Sequence, residues 1–242
     1  MIKEIEAPWR RAPVLYEDTV ESTNLSLKKM SAEGAVSGTV LTAGIQTAGK
    51  GRTGKSFLSP EGGLYMSMLL KFPEFDRRLL TLTAVTAVAV SEALDSFFDI
   101  KTEIKWPNDI LLNEKKLCGI LTEARTGAEG ISIIVGIGIN LNNESFPGEI
   151  KNIACSVFSE TGKTSDIREF LLNLVKALDG YFAAAPELPE DCLEKYRSRC
   201  STVGKLLSSS DTAIGVAEDY SLILRHPDGT EGIKFFGEIL QQ

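Results

Sequence analysis

The chain has 242 residues, 43% hydrophobic and 24% charged, which suits one good-sized core plus a small second module. A formal charge of −7 argues against a nucleic-acid partner, whose footprint needs clustered positive surface. Met1 to Arg11 mix charges with Pro8 and hold no apolar core, so no signal peptide is expected. The longest charge-free helical stretch, Leu79 to Ser91, is too short to span a bilayer. Cys118, Cys155, Cys192 and Cys200 show no CxxC spacing, and Cys118 sits in a strand pattern where a reduced, buried thiol is the default. A cytoplasmic protein is expected.

In chain order, Val14-Leu15-Tyr16 reads as a short strand leading to Glu21-Ser22-Thr23-Asn24. Ser22 suits the N-cap of a helix through Leu25, Leu27, Lys28 and Met30, stopped by Gly34. Such a helix start also offers N–H groups and hydroxyls to a polar ligand. Thr39 to Ile45 and Leu64 to Leu70 read as strands, and Arg77 to Phe98 as one long helix with Leu80, Ala84, Ala87 and Ser91 on a single packing face.

Ile104-Lys105, Ile110 to Leu112 and Leu117 to Leu121 read as three short strands. The chain must turn at Pro107, which cannot donate to a ladder, and again over Asn113-Glu114-Lys115. Lys105, Asn108, Asp109 and Lys116 then crowd one end of a sheet, where an anionic ligand would sit. Ile131 to Ile139 is a β-branched run whose Gly136 and Gly138 mark a central strand closely approached by another group, with Asn140 exposed at its rim. Asn142 to Thr164 is mostly loop. Ser165 caps a helix with Ile167, Leu171, Leu174, Leu178 and Phe182 on its apolar face, and a short charged helix covers Leu193 to Arg199. From about Val203, short strand signals at Gly204–Leu207, Gly215–Ala217, Tyr220–Leu224 and Ile233–Ile239 predict a small β-module docked on the main domain, with Asp228-Gly229 as a hairpin turn.

Gly49-Lys50-Gly51-Arg52-Thr53-Gly54-Lys55-Ser56 fits the phosphate-loop pattern G-x-x-x-x-G-K-[ST]. That motif works only if a helix begins at the lysine and lends its amides to the phosphates. Here Phe57-Leu58-Ser59-Pro60-Glu61-Gly62-Gly63 follows, and proline with a glycine pair leaves no room for the helix. A P-loop ATPase or GTPase is therefore disfavoured.

Five ordered blocks resemble biotin protein ligases: Glu21 to Asn24; Gln46 with Gly49 to Gly54; Ser59-Pro60-x-Gly62-Gly63-Leu64-Tyr65-x-Ser67; Lys105 to Asp109 with Lys116 and Gly119-Ile120-Leu121; and Gly136 to Asn140. Lys50, Thr53 and Phe57 depart from that family's usual arginine, arginine and tryptophan. Lys50 keeps the charge without the planar fork, and Phe57 still offers an aromatic face.

The resemblance implies an α+β fold, with a mixed or antiparallel β-sheet flanked by helices in a class II synthetase-like catalytic domain (residues 1–199). A small C-terminal SH3-like β-barrel would follow over 200–242. It implies attack of biotin's carboxylate on the α-phosphate of MgATP, then transfer of the biotinyl group to a lysine of the biotin carboxyl carrier domain of a carboxylase. No enzyme nucleophile is needed.

Lys116 and Arg52 are the expected catalytic cations. Ser22, Thr23, Asn24, Gln46, Lys50, Gly51, Arg52, Lys116 and Gly119 are expected around biotin. Arg52, Phe57, Lys105, Asn108, Asp109, Lys116 and Asn140 are expected around ATP, with Asp109 also a candidate for magnesium. A lipoate ligase of the same superfamily is the nearest rival enzyme, and the Lys105–Asp109 block argues against it. A non-catalytic biotin- or carrier-binding module is the rival of another class, against which Lys116 and Arg52 speak. A repressor would need a helix-turn-helix before the core, and about a dozen residues precede Val14. No nucleic-acid or membrane partner is expected; the oligomeric state stays open, a homodimer included.

Overall fold

The computed structural model describes residues 2–127, 130–207 and 209–235. The β-branched run forms the middle of the main sheet as β8 (Gly130–Asn140). Strand side chains alternate between faces, so Ile133, Val135, Ile137 and Ile139 enter the main core while Ile134 packs in a second cluster on the opposite side. β8 runs antiparallel between β4 (Gly63–Phe72) and β7 (Lys115–Gly127). Beyond β4 lie β3 (Val40–Gln46), β2 (Val14–Val20) and β1 (Lys3–Ile5); beyond β7 lie β6 (Asp109–Leu112) and β5 (Glu103–Lys105). β2 and β3 pair in parallel, and α1 (Thr23–Ala32) supplies the crossover that parallel neighbours require. The result is the mixed sheet with flanking helices that the sequence implied.

α1 covers one face through Leu27, which packs with Leu41, Leu69 and Ile134. The other face carries α2 (Leu82–Phe98), which packs on α4 (Ile167–Phe182) and α5 (Cys192–Arg199). The expected helix from Arg77 splits. Asp76 accepts from the Arg78 N–H, tightening Arg77–Thr81 into a 3₁₀ turn, and regular α-helix starts only at Leu82. Leu80 is consequently 58% exposed, whereas Ala84, Ala87 and Ser91 are buried as expected. Arg77–Phe98 is long and apolar enough by composition to cross a membrane, unlike the shorter charge-free stretch within it, but its apolar window is 72% buried inside the fold. α4 is capped by Asp166, which accepts from the Arg168 and Glu169 N–H groups, and not by Ser165, whose own N–H donates to Asn142 Oδ1. The loop before it hides one short helix, α3 (Val157–Thr161), opened by a Ser156–Ser159 capping box. The four cysteines are free and buried.

β9 (Thr212–Val216), β10 (Leu222–Arg225) and β11 (Glu231–Lys234) form a small antiparallel sheet, and Gly229 in the β10–β11 turn takes φ +87°. The strand signal at Gly204–Leu207 yields only a bridge between Leu206 and Thr212, and residues 236–239 of the last signal lie outside the described residues. A three-stranded sheet has too little core of its own. Ala213, Val216, Tyr220, Leu222 and Leu224 instead join the main core. Trp106 fastens the junction: its indole N–H donates to the Tyr220 carbonyl (2.9 Å) and its backbone N–H to Thr202 Oγ1 (2.9 Å).

Candidate active site

Sheet register builds the floor of a cleft of about 720 Å³. Tyr65, Gly138, Gly119 and Asp109 lie in one row across β4, β8, β7 and β6, and Ser67, Gly136 and Leu121 lie in the next. The glycines leave the floor bare where other groups descend onto it. A Cβ on Gly136 would meet Asn24 Oδ1 at 2.2 Å, and one on Gly138 would meet the Phe57 ring at 2.6 Å. Phe57 also lies 3.1 Å from where a Gly119 Cβ would stand. These are the close approaches that the two β8 glycines foretold.

At one end of the cleft the start of α1 meets β3, β4 and β7 in a buried polar chain. Ser22 occupies the N-cap position but makes no side-chain cap hydrogen bond; it is buried and lines the cleft. The first helical amide, Thr23 N–H, donates instead to Gln46 Oε1 (2.9 Å). Gln46 Nε2 donates to Ser59 Oγ (2.8 Å), which donates to the Phe57 carbonyl (3.0 Å), so the far side of the network ties to the glycine-rich segment. Asn24 Nδ2 donates to the Leu121 carbonyl (3.2 Å) and to Glu123 Oε2 (2.7 Å), and Lys28 pairs with the other Glu123 oxygen. Burial pushes the Glu123 carboxyl up, but the hydrogen bonds from Lys28 and Asn24 outweigh it and hold the group below the usual glutamate range.

The glycine-rich segment is a narrow hairpin, not a P-loop. Lys50 bridges Ser56, the Gly51 N–H donates to the Lys55 carbonyl (2.7 Å), and Arg52–Gly54 form the tip with Thr53 at φ +55°. Chain beyond Lys55 is extended, with no helix to cradle a phosphate. The tip aims Arg52 into the cleft, where its Nη1 donates to Asn108 Oδ1 (3.0 Å). Asn108 in turn donates to the Ile120 carbonyl (2.8 Å). Burial draws the Arg52 pKa down while Asp109 and Tyr196 draw it up; a guanidinium stays charged regardless.

Opposite stands the β6–β7 hairpin. Asn113 and Glu114 take φ +50° and +65°, the hand that a two-residue hairpin needs. Glu160 of α3 steadies this turn by accepting from Asn113 Nδ2 (2.8 Å) and Lys115 Nζ (3.0 Å). Lys116 Nζ pairs with Asp109 Oδ1 (2.8 Å) and lies 5.7 Å from the Phe57 ring centroid. Among the described residues, seven cationic side chains line the cleft against two carboxylates, in a chain whose net charge is −7. A field of this sign concentrates anions there.

Residues 16–140 match the model of the biotin/lipoate A/B protein ligase family. The bifunctional ligase/repressor BirA of Bacillus subtilis is 34% identical over 234 residues, which cover 91% of this chain and 71% of that protein. The chain belongs to the biotin/lipoate A/B protein ligase family. Within it, the biotin–[acetyl-CoA-carboxylase] ligase of Paracoccus denitrificans is 31% identical, covering 90% of this chain and 98% of that protein. The biotin protein ligase of Aquifex aeolicus, solved with biotin and ATP, superposes with a TM-score of 0.82 at 34% identity, covering 93% of this chain and 96% of that one.

Of the family-type site residues expected from the sequence, Ser22, Thr23, Asn24, Gln46, Lys50, Gly51, Arg52, Phe57, Lys105, Asn108, Asp109, Lys116 and Gly119 all line the one cleft. Asn140 does not. It is 5% exposed and donates to the Cys155 carbonyl (2.9 Å), which spends it on tying the loop after β8 to the sheet. Asp109 does not fit a protein-held magnesium: its carboxylate faces Lys116, and no cluster of three metal-ligating side chains exists among the described residues. Sequence reasoning missed Lys28 and Glu123 behind the polar chain, and two lysines of the cleft lining: Lys205, in the segment before β9, and Lys234, on β11. Glu123 left no readable signal: β7 passes from buried Leu117 and Cys118 to exposed residues 124–127, and an acid toward that outer end reads as a solvated face.

Proposed function

We propose that this protein joins biotin to a specific lysine of a biotin carboxyl carrier domain, by way of biotinyl-5′-AMP, with ATP as the activating substrate. The observation that carries this reading is the convergence of family-type residues from α1, the glycine-rich hairpin and the β6–β7 hairpin on one cationic cleft. In the first half-reaction a carboxylate oxygen of biotin attacks the α-phosphorus, an acyl–phosphate bond forms, and pyrophosphate leaves. In the second, the carrier's lysine amine attacks the acyl carbon, an amide forms, and AMP leaves with one proton released.

Two anions must meet in the first step, and like charges repel unless cations screen them. Lys116 bridges the biotin carboxylate and the α-phosphate, exchanging its bond to Asp109 for them. Arg52 clamps the phosphoryl group with its planar fork. Lys50 and Gly51 add donors from the hairpin, and Lys105, Asn108 and Asp109 line the polyphosphate path. Ser22, Thr23, Asn24 and Gln46 meet the ureido ring, which carries donors and an acceptor. Gly119 leaves room for the chain of biotin, and Phe57 offers an aromatic face. The hairpin shields the water-sensitive anhydride until the carrier arrives.

The carrier is a carboxylase domain, such as that of acetyl-CoA carboxylase, and the reaction belongs in the cytoplasm, where ATP and such carriers meet. Incubation with MgATP, a carrier domain and either biotin or lipoate tests the reading. Biotin-dependent pyrophosphate release and covalent biotin on the carrier are expected; release with lipoate and none with biotin would overturn it.

A further inference from the structure

The polar chain at the start of α1 holds an imbalance of protons. Gln46 Oε1, Thr23 Oγ1, Ser67 Oγ and Asn24 Oδ1 follow one another at 3.1, 2.7 and 2.6 Å. Three contacts join these four oxygens, yet only the Thr23 and Ser67 hydroxyls bring a proton, one each. Neither amide can turn to supply another. Gln46 must keep its oxygen toward the Thr23 N–H (2.9 Å). Asn24 must keep its nitrogen toward the Leu121 carbonyl and the Glu123 carboxylate, both of which can only accept. Ser67, wholly buried, therefore gives its proton to Asn24. Thr23, whose hydroxyl has both Gln46 at 3.1 Å and Ser67 at 2.7 Å within reach, gives its own to Ser67, because a 2.7 Å contact between two oxygens is the costlier one to leave without a proton. The longest contact, between Thr23 and Gln46, is left without a proton. Both of these residues line the cleft.

We infer that Glu123, held by Lys28, acts as a positioning residue. It sets the direction of hydrogen bonding along Asn24, Ser67 and Thr23, so that Thr23 Oγ1 and Gln46 Oε1 together demand an N–H donor from the substrate ring. The inference rests on the reading of the cleft as a biotin site. Were Asn24 reversed, Ser67 would donate to Thr23 and Thr23 to Gln46, and every contact would be satisfied without substrate. A cyclic urea has the N–H that the native arrangement calls for, and a dithiolane ring has none. Gly136 belongs to the same device, since only a bare backbone there lets Asn24 reach Ser67. The low pKa of Glu123 agrees with a group that stays an acceptor at neutral pH.

The test is biotin affinity, by calorimetry and as KM, across variants that keep or remove the acceptor. Glu123→Met should raise the biotin Kd and KM by about tenfold or more, with kcat changed less than about twofold and the KM for ATP unmoved. Glu123→Gln, which can still accept from Asn24 while Lys28 turns to water, should recover most of the affinity. Ser67→Ala should weaken biotin as Glu123→Met does, and the double variant should be no worse than the weaker single one, because both break one chain. Should Glu123→Met fail to fold, Ser67→Ala carries the test alone. Wild-type biotin affinity in Ser67→Ala or Glu123→Met, or equal loss in Glu123→Gln and Glu123→Met, would overturn the inference. A wild-type protein that releases no pyrophosphate with biotin would instead overturn the ligase reading beneath it.

Discussion

Lys116 Nζ stands 2.8 Å from Asp109 Oδ1 across the β6–β7 hairpin, with the Phe57 ring beside it. The ammonium is thus held at the cleft floor by a partner that is itself only partly buried, and an arriving carboxylate or phosphate can take over the bond. Lys116→Ala should lower biotin-dependent ATP–pyrophosphate exchange by about 10²–10³, the range for losing one preorganised charge contact. Exchange at the wild-type rate would refute the role.

The hairpin tip carries Arg52 into the cleft, where it bonds Asn108. Removing the guanidinium loosens both the hairpin and the grip on the phosphoryl group. Arg52→Gly should let biotinyl-5′-AMP escape, so that lysines on unrelated proteins become biotinylated. Filter-binding retention of the adenylate equal to wild type would contradict this.

The two β8 glycines separate stability from function. At Gly136 an added Cβ meets Asn24 Oδ1 at 2.2 Å, and Asn24 is buried and bonded on both sides. Gly136→Ala should therefore cost about 1–3 kcal/mol in denaturant unfolding, the usual range for overpacking. At Gly138 the obstacle is the Phe57 ring, which sits on a hairpin and can swing away. Gly138→Ala should leave stability within about 0.5 kcal/mol, as for a site that can relax, while raising the KM values. Equal destabilisation by both variants would show that the hairpin is as fixed as the helix start.

Glu123 also makes a pH prediction. Its carboxyl sits below the usual range in the fold, so its contribution is present above the unfolded glutamate pKa and fades as pH falls through the folded value. Thermal unfolding followed from about pH 7 to about pH 3 should show a shallower acid decline in Glu123→Gln than in wild type. A parallel decline in both would remove Glu123 from the account.

Much of this was legible from local pattern. The β-branched run from Ile131 to Ile139 and its two glycines marked a central strand under close approach, and proline with a glycine pair after Lys55 spoke against the P-loop helix. Legibility ended where tertiary partners decide. Nothing in Asn140 shows that its amide is taken by Cys155, because that carbonyl arrives from a loop fifteen residues on. Asp166 and not Ser165 caps α4 because the helix begins at Ile167, and the Asp166 carboxylate accepts from two first-turn amides. Leu80 fell out of its packing face because Asp76 tightened the preceding turn. Lys205 and Lys234 were invisible as site residues because only docking of the C-terminal module brings them to the cleft.

The central claim is that Lys116 and Arg52 bring a carboxylate and a phosphate together. A crystal structure of the protein with a non-hydrolysable biotinyl-5′-AMP analogue tests it most directly. The account predicts both side chains within hydrogen-bond reach of the phosphoryl oxygens, with Lys116 drawn off Asp109. Both side chains turned to bulk solvent, with the analogue bound elsewhere in the cleft, would contradict it.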